Sequence, residues 1–316
     1  MVSVTYKTIN GKKYLYAEYS FRLPNGKIKK ISKLIQKKEN KEDKVVKDYF
    51  LKKQVEAYQK YALENYKKDI IFSEEQIKKL EQMKVEYREI MRRLTKKQIK
   101  DILDRFTVNF TYESNAIEGN SLTLKDVTLI LEEKIVLKDR DLREVYETKN
   151  AREAHELLFN NKIKINIKDI IKLQEIIVKD TGVSTGFKKL PNYILMRNLR
   201  TIPPEKVEKE MNNLIGWYEE NKNKIHPLRL ATGFHARFEA IHPFEDGNGR
   251  TGRILLNAIL LECGYPPLII RKTARVAYFS SLEAFDKGYK GKLERFFLDK
   301  IKKTFNNFFK VYVRYL

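Results

Sequence analysis

One stretch of this sequence gathers an imidazole, two carboxylates, two guanidinium groups and three glycines within a few turns of chain: Ile241-His242-Pro243-Phe244-Glu245-Asp246-Gly247-Asn248-Gly249-Arg250-Thr251-Gly252-Arg253. Apolar spacing ends one helix near Ile241 and starts another after Gly249, through Ile254, Leu255, Ala258, Ile259 and Leu261. Between them Gly247-Asn248-Gly249 lets backbone N–H groups converge without Cβ interference, at the positive end of the second helix. That is an anion cradle. Arg250 and Arg253, three apart on the first turn, project toward the same anion. Asp246 at the rim is a hard carboxylate ligand for a Mg²⁺ ion bridging phosphate oxygens. His242 at the lip is placed to take a proton from an incoming hydroxyl. Together these groups suit a polyphosphate attacked by a nucleophile from the imidazole side.

Taken singly, each residue is weak: a lone histidine is usually structural, and a lone Gly-x-Gly is usually a turn. The whole string His-x-Phe-x-[Asp/Glu]-Gly-Asn-Gly-Arg-x-x-Arg is far more specific, and it resembles the signature of the Fic family at every defined position. The resemblance extends more loosely over 106–282, including His226-Pro227-Leu228 and Pro203-Pro204. It implies a mainly α fold: a Fic-type helical core with a short β-hairpin flap and an ATP site at this loop. The implied chemistry is transfer of AMP from ATP to a Tyr, Thr or Ser hydroxyl of a target protein or of the chain itself. Carried over, His242 is the general base and Asp246 the Mg²⁺ ligand. Gly247, Asn248 and Gly249 cradle the phosphates, with Asn248 on the α-phosphate, and Arg250 and Arg253 hold the outer ones. Phe244 is implied as a packing anchor.

Upstream, Ser114-Asn115-Ala116-Ile117-Glu118-Gly119-Asn120 resembles the family's inhibitory pattern, [Ser/Thr]-x-x-x-Glu-[Gly/Asn]. The implied brake is Glu118, paired with Arg253, so that the arginine is lost to the γ-phosphate and the carboxylate repels it. A capped helix end is the plain alternative. Gly186-Phe187-Lys188 to Ile194 falls where the family has its flap, which docks a target segment by strand addition. Lys188 stands where arginine is frequent in the family. Tyr278 and Phe279 fall where relatives line the adenine pocket, with core packing the competing role. His235 lies seven residues before His242, but no Cys or carboxylate stands at ligand spacing to complete a metal site; His155 and His226 have still less support.

The rest of the chain must hold these groups in place. Three β-rich runs open it, Val4 to Ile9, Tyr14 to Leu23 and Lys27 to Ile35, separated by Asn10-Gly11 and Pro24-Asn25-Gly26. They read as a small β-meander with Leu15, Ala17, Tyr19 and Phe21 on one face and Tyr14, Tyr16 and Glu18 on the other. A charged helical run follows over 37–69, and the capping box Ser73-Glu74-Glu75-Gln76 opens a long helix. Helical spacing recurs over 124–131, 145–159, 169–178, 207–218, 228–241 and 251–261, whereas 181–202 reads as loop with at most a short hairpin. A stripe from Phe296 to Val313 is read as docking on the protein's own body rather than on a partner or a membrane surface. The expected organisation is thus a basic meander and linking helix over 1–72, a catalytic domain with its inhibitory helix over 73–285, and an amphipathic C-terminal helix over 286–316.

A chain of 316 residues, 34% of them charged and 42% apolar, suits a folded protein with a full core. Its longest apolar region, 254–270, is broken by Asn257, Glu262 and Pro266-Pro267, which excludes a membrane span there. The N-terminus lacks signal-peptide character, and the single Cys263 cannot form an internal disulfide, so a reducing, cytoplasmic setting is expected. Net charge is +22, of which 1–72 carry +10 and 286–316 carry +6. Lys12, Lys13, Lys27, Lys29 and Lys30 among Tyr14, Tyr16 and Tyr19 raise nucleic acid as a partner, against solvated lysine faces. Three readings follow: an AMP transferase restrained by Glu118, the reverse activity stripping AMP from a modified protein, and a nucleic-acid-binding regulator with a secondary Fic module. The donor nucleotide, ATP or another, is open at this stage.

Overall fold

The computed structural model describes residues 2–35, 43–135, 139–194 and 201–315. They form two compact units, Met1–Glu89 and Ile90–Leu316.

In the first unit β1 (Val2–Ile9), β2 (Lys12–Arg22) and β3 (Ile28–Leu34) make an antiparallel sheet in chain order. Asn10 and Gly11, at φ 50° and 75°, supply the two positive-φ residues of a tight hairpin turn. Strand alternation puts Ala17 and Phe21 inward. Ala17 joins Val46 and Phe50 of α1 (Lys44–Asn65), and Phe21 joins Ala57 and Tyr58 of α1 and Val85 of α2 (Glu74–Arg93). Part of the helical run expected from Lys37 lies outside the described residues. On the other face Glu18 is 4% exposed, bridged by Lys7 at 3.0 Å and Lys30 at 2.5 Å. These contacts hold its carboxyl down at about 2. The register also divides the lysines grouped above: Lys29 pairs with Phe21 on the packed face, while Lys12 and Lys30 share the other with Tyr14 and Tyr16. With Lys30 committed to Glu18, the aromatic-basic cluster expected for nucleic acid is not one continuous face.

The boundary falls inside α2 rather than at 72, because Val85 belongs to the first unit's core. Ser73 caps α2, its Oγ accepting from Gln76 N–H at 3.3 Å. The helix does not run on. A capping box of Thr95 and Gln98 starts α3 (Lys96–Glu118), which ends at Gly119 in the left-handed conformation.

The second unit continues with α4 (Leu124–Leu131), α5 (Leu142–Phe159), α6 (Ile167–Ile177), α7 (Pro204–Asn221), α8 (Pro227–Ile241) and α9 (Asn248–Glu262). A 3₁₀ turn at Lys272–Ala274 leads to α10 (Arg275–Asp286) and α11 (Lys290–Thr304), which passes through a π-helical stretch, Phe305–Phe309, into α12 (Lys310–Arg314). The architecture is mainly α, with the small sheet confined to the N-terminus. Helix α9 is buried along nearly its whole length and packs against α3, α5, α6 and α8. Gly252 permits the close α8 approach: a Cβ there would stand 2.5 Å from Glu239 Oε1 and 3.1 Å from Phe238. The C-terminal stripe docks on this unit, with Phe297, Ile301, Phe305 and Phe309 at most 1% exposed, so 286–316 is part of its core rather than a separate segment.

Phe106 on α3 is fully buried and meets Phe110, Phe159, Phe308 and Phe309 at 5.7–5.9 Å. Phe106→Ala should therefore cost about 3–5 kcal/mol of the second unit's stability in urea unfolding. A cost below about 1 kcal/mol would mean the C-terminal helices do not depend on this contact.

Candidate active site

The loop between α8 and α9 is shaped by two left-handed residues, His242 at φ 51° and Gly247 at φ 82°. His242 ends α8, its N–H donating to Phe238 O at 2.9 Å, and its side chain is half-buried. Phe244 is fully buried between Phe238 and Phe187, with both ring centroids 6.1 Å away. The first helical bond of α9 runs from Thr251 N–H to Gly247 O, so the N–H groups of Asn248, Gly249 and Arg250 precede the intrahelical ladder and face the N-terminal end.

Asn248 is placed differently from its expected role. Its Oδ1 accepts from Phe244 N–H and its Nδ2 donates to Phe244 O, both at 2.9 Å, and it is 2% exposed. The side chain is committed to shaping the loop, which leaves its backbone N–H as the group available to an anion.

The two arginines are buried, and each meets a carboxylate. Arg253, 2% exposed, pairs through Nη1 with Glu118 Oε1 at 2.7 Å, while its Nε and Nη2 donate to Ser114 Oγ and O at 2.9 and 3.0 Å. Burial works against its charge, but Glu118 and neighbouring groups outweigh that and raise its pKa. Glu118 reaches well into the cradle: a Cβ on Gly249 would lie 2.1 Å from its Oε1. Arg250 pairs with Glu147 of α5 at 3.0 Å and with Asp246 at 3.2 Å.

Asp246 also accepts from Arg143, at the start of α5, and from Gly247 N–H at 2.5 Å. Burial raises its pKa; Arg250, the Gly247 N–H and Arg143 more than offset this and keep the carboxyl below its ordinary value. Its side chain is 37% exposed, at the rim. Among the described residues no group of three His, Cys, Asp or Glu is arranged to hold a metal alone. A hard cation here would take one carboxylate oxygen from Asp246 and the rest from phosphate and water. That fits, provided Arg143 gives way.

Lys188 N–H donates to Pro243 O at 2.9 Å, and Phe187 pairs with Phe244 as one antiparallel bridge, so this segment lies along the loop. The Lys188 side chain is 4% exposed and donates to Asn192 Oδ1 and Thr201 Oγ1; burial lowers its pKa to about 8. It is a tether rather than an exposed contact. Of the loop over 181–202, expected to hold at most a short hairpin, residues 195–200 lie outside the described residues. Tyr278 is 1% exposed, its hydroxyl 2.7 Å from His235 Nε2 and its ring against Phe279, Phe296 and Phe297. It is a core residue here and offers no open face to an adenine. His226 and His155 are likewise buried.

Four residues of this site had not been singled out from sequence: Arg143, Glu147, Gln174 and Asn192. Gln174 is fully buried; its Nε2 donates to Ser184 O and Asp246 O, and its Oε1 accepts from Gly186 N–H. A polar residue on the buried face of an amphipathic helix was the available signal.

This loop and its helices place the chain among known proteins. Residues 164–260 match the Fic/DOC family. The chain is thus similar to that family over those residues. It is 33% identical over 182 residues to the protein adenylyltransferase Fic of Nematostella vectensis, covering 56% of this chain and 43% of that protein. The protein adenylyltransferase Fic of Drosophila persimilis is 31% identical over 197 residues, 61% of this chain and 39% of that protein. The chain thus spans less than half the length of these curated relatives. In structure it is similar to a Fic-domain-containing signaling protein from Bacteroides thetaiotaomicron, with a TM-score of 0.67, 24% identity, and coverage of 74% of this chain and 96% of that one. Fic-1 of Caenorhabditis elegans gives a TM-score of 0.65 at 23% identity, covering 75% and 71%. These likenesses establish the fold. Among the described residues no helix is long and apolar enough to cross a membrane.

Because a Cβ at 249 would collide with the mobile end of Glu118, Gly249→Ala should break the Glu118–Arg253 pair and lower stability by about 1 kcal/mol. In a Glu118→Gly background the same change should cost distinctly less. Additive effects in this double-mutant cycle would show that Glu118 does not occupy the cradle in solution.

Proposed function

We propose that this chain is a protein adenylyltransferase that moves AMP from ATP to a Tyr, Thr or Ser hydroxyl of a protein, and that Glu118 restrains it. The observation that carries the reading is the buried Arg253 at the N-terminus of α9, already neutralised by a carboxylate inside the anion cradle. A helix N-terminus with two buried guanidinium groups favours anions, and the names of the relatives supply the chemistry that such a site performs in them.

In this reading the target hydroxyl oxygen bonds to the α-phosphorus of ATP as the α–β bridging P–O bond breaks, and pyrophosphate leaves. His242 takes the hydroxyl proton. The N–H groups at Asn248, Gly249 and Arg250 face the phosphates, and Arg250 and Arg253 stabilise the charge on the leaving group. Asp246 would hold Mg²⁺, which would supply neutralisation of phosphate charge. The target segment lies along Phe187–Ile194, where Leu190 and Tyr193 are 77% and 73% exposed. Nucleic acid binding forms no part of the proposal, given the divided lysines of the first unit.

A second reading keeps the same site and reverses the reaction, with Glu118 orienting a water that strips AMP from a modified protein. The partial exposure of Glu118, 38%, is compatible with it.

Incubation with ATP and Mg²⁺, read by mass spectrometry for added AMP, tests the proposal. Glu118→Gly should raise transfer on the order of 10- to 100-fold, since it frees Arg253 from a pair already partly screened by solvent. Adding His242→Ala should abolish the gain while ATP still binds. Labelling that survives His242→Ala would refute the assigned base. If AMP removal is the main activity, Glu118→Gly loses removal while gaining transfer.

Arg143→Ala should tighten divalent-cation binding, by about 3- to 10-fold for Mn²⁺ in the presence of ATP, because the cation no longer competes with a guanidinium for Asp246. Unchanged affinity in calorimetry would mean Arg143 does not guard this carboxylate.

A further inference from the structure

Beside Arg250, residues of α3, α5, α6 and α9 line a cavity of about 10 Å³, room for one water molecule. Thr111, His155 and Arg250 all line it, at 1%, 1% and 6% exposure. Among the described residues each has a buried polar atom without a hydrogen-bond partner, Thr111 Oγ1, His155 Nε2 and Arg250 Nε; Arg250 Nη1 also lacks one, its 3.0 Å approach to Glu147 being an ion pair. Three residues with such atoms thus line one small space, and buried polar groups are nearly always bonded.

The proton inventory identifies what joins them. His155 Nδ1 lies 2.7 Å from Ala151 O, and a carbonyl only accepts, so Nδ1 carries the hydrogen. Burial lowers the imidazole pKa to about 4, which keeps the ring neutral and makes Nε2 an acceptor. Arg250 Nε–H only donates. Thr111 Oγ1 can do either. The occupant must therefore accept from Arg250 and donate to His155. A metal cation cannot donate and is repelled by the guanidinium, and a halide cannot donate to Nε2. Water does both and has a bond left for the threonine.

We propose that this cavity holds one structural water, bonded to Arg250 Nε, His155 Nε2 and Thr111 Oγ1, and that Thr111 and His155 are positioning residues acting through it on Arg250. The guanidinium is then fixed on three sides: by Glu147 on Nη1, by Asp246 on Nη2 and by the water on Nε. Thr111 stands seven residues before Glu118 on α3, so the helix that grips Arg253 directly also steadies Arg250. The functional half of this inference rests on the phosphate-binding role proposed for Arg250; the water itself does not.

The first measurement is a crystal structure of the full chain at water-resolving resolution. Density for one water within hydrogen-bond distance of all three atoms is expected, and an empty or dry cavity overturns the proposal whatever the enzyme does. The second compares Thr111→Val and Thr111→Ser in the Glu118→Gly background. Thr111→Val keeps the shape but removes the hydroxyl, and should weaken ATP, read as Kd by calorimetry and as KM, by about 3- to 10-fold with a folded, cooperative melt. Thr111→Ser should restore it. A Thr111→Val protein with lowered Tm but unchanged ATP affinity would make the residue merely structural and overturn the positioning role. Should Thr111→Val fail to fold, His155→Gln, which can present an amide oxygen to the same water, decides between the outcomes by the same affinity reading. If the Glu118→Gly parent binds no ATP, the proposed function fails while the density still decides the water.

Discussion

Burying two guanidinium groups on the first turn of a buried helix is the constraint around which the second unit is built. The N-terminus of α9 is already positive, and Arg250 and Arg253 add two charges at 6% and 2% exposure. Such an arrangement stands only if neighbouring elements bring carboxylates to it. Three do: α3 supplies Glu118, α5 supplies Glu147, and the loop supplies Asp246. The packing of α3 and α5 against α9 thus serves charge balance as well as the apolar core. An anionic ligand would enter as a fourth source of negative charge, in competition with those present.

The loop itself is held by a second set of contacts. Asn248 closes on the Phe244 backbone, Gln174 spans from α6 to Asp246 and Gly186, and Asn192 Nδ2 donates to Phe244 O at 2.8 Å. These are neutral amides with both donors and acceptors, suited to a region where further charge would disturb the balance. Phe244 is the pivot of this side, with its ring in the core and its backbone bonded to two amides.

Much of this was legible in the sequence. Helical spacing placed α4 through α9 closely, because all but α5 have a clear apolar face, and Asn10-Gly11 marked its hairpin. What escaped notice depended on partners far away in the chain. Arg143 and Glu147 read as ordinary charges on a helix, and only folding brings them beside Asp246 and Arg250. A nearer signal, the Thr95–Gln98 capping box, marks the break between α2 and α3, which the reading of a long helix opening at Ser73 left without an end. Tyr278 was equally at home in a pocket or a core by its type, and the aromatic cluster of α11 decided for the core. Asn248 illustrates a subtler limit: its position was evident, but whether its amide faces a ligand or its own loop depends on geometry that spacing does not encode.

Helix α3 belongs to two structures at once. Its body, through Phe106 and Ser114, is part of the core and of the scaffold that seats Arg253, whereas only its final turn carries Glu118. On the proposed reading of Glu118 as a restraint, withdrawing the helix to lift it would dismantle the scaffold. Release on that reading would act over a very short lever, between the anchored Ser114 and the left-handed Gly119, by a side-chain rotation or the fraying of one turn. Release of this kind would take little mechanical work, but would have to reach that one turn.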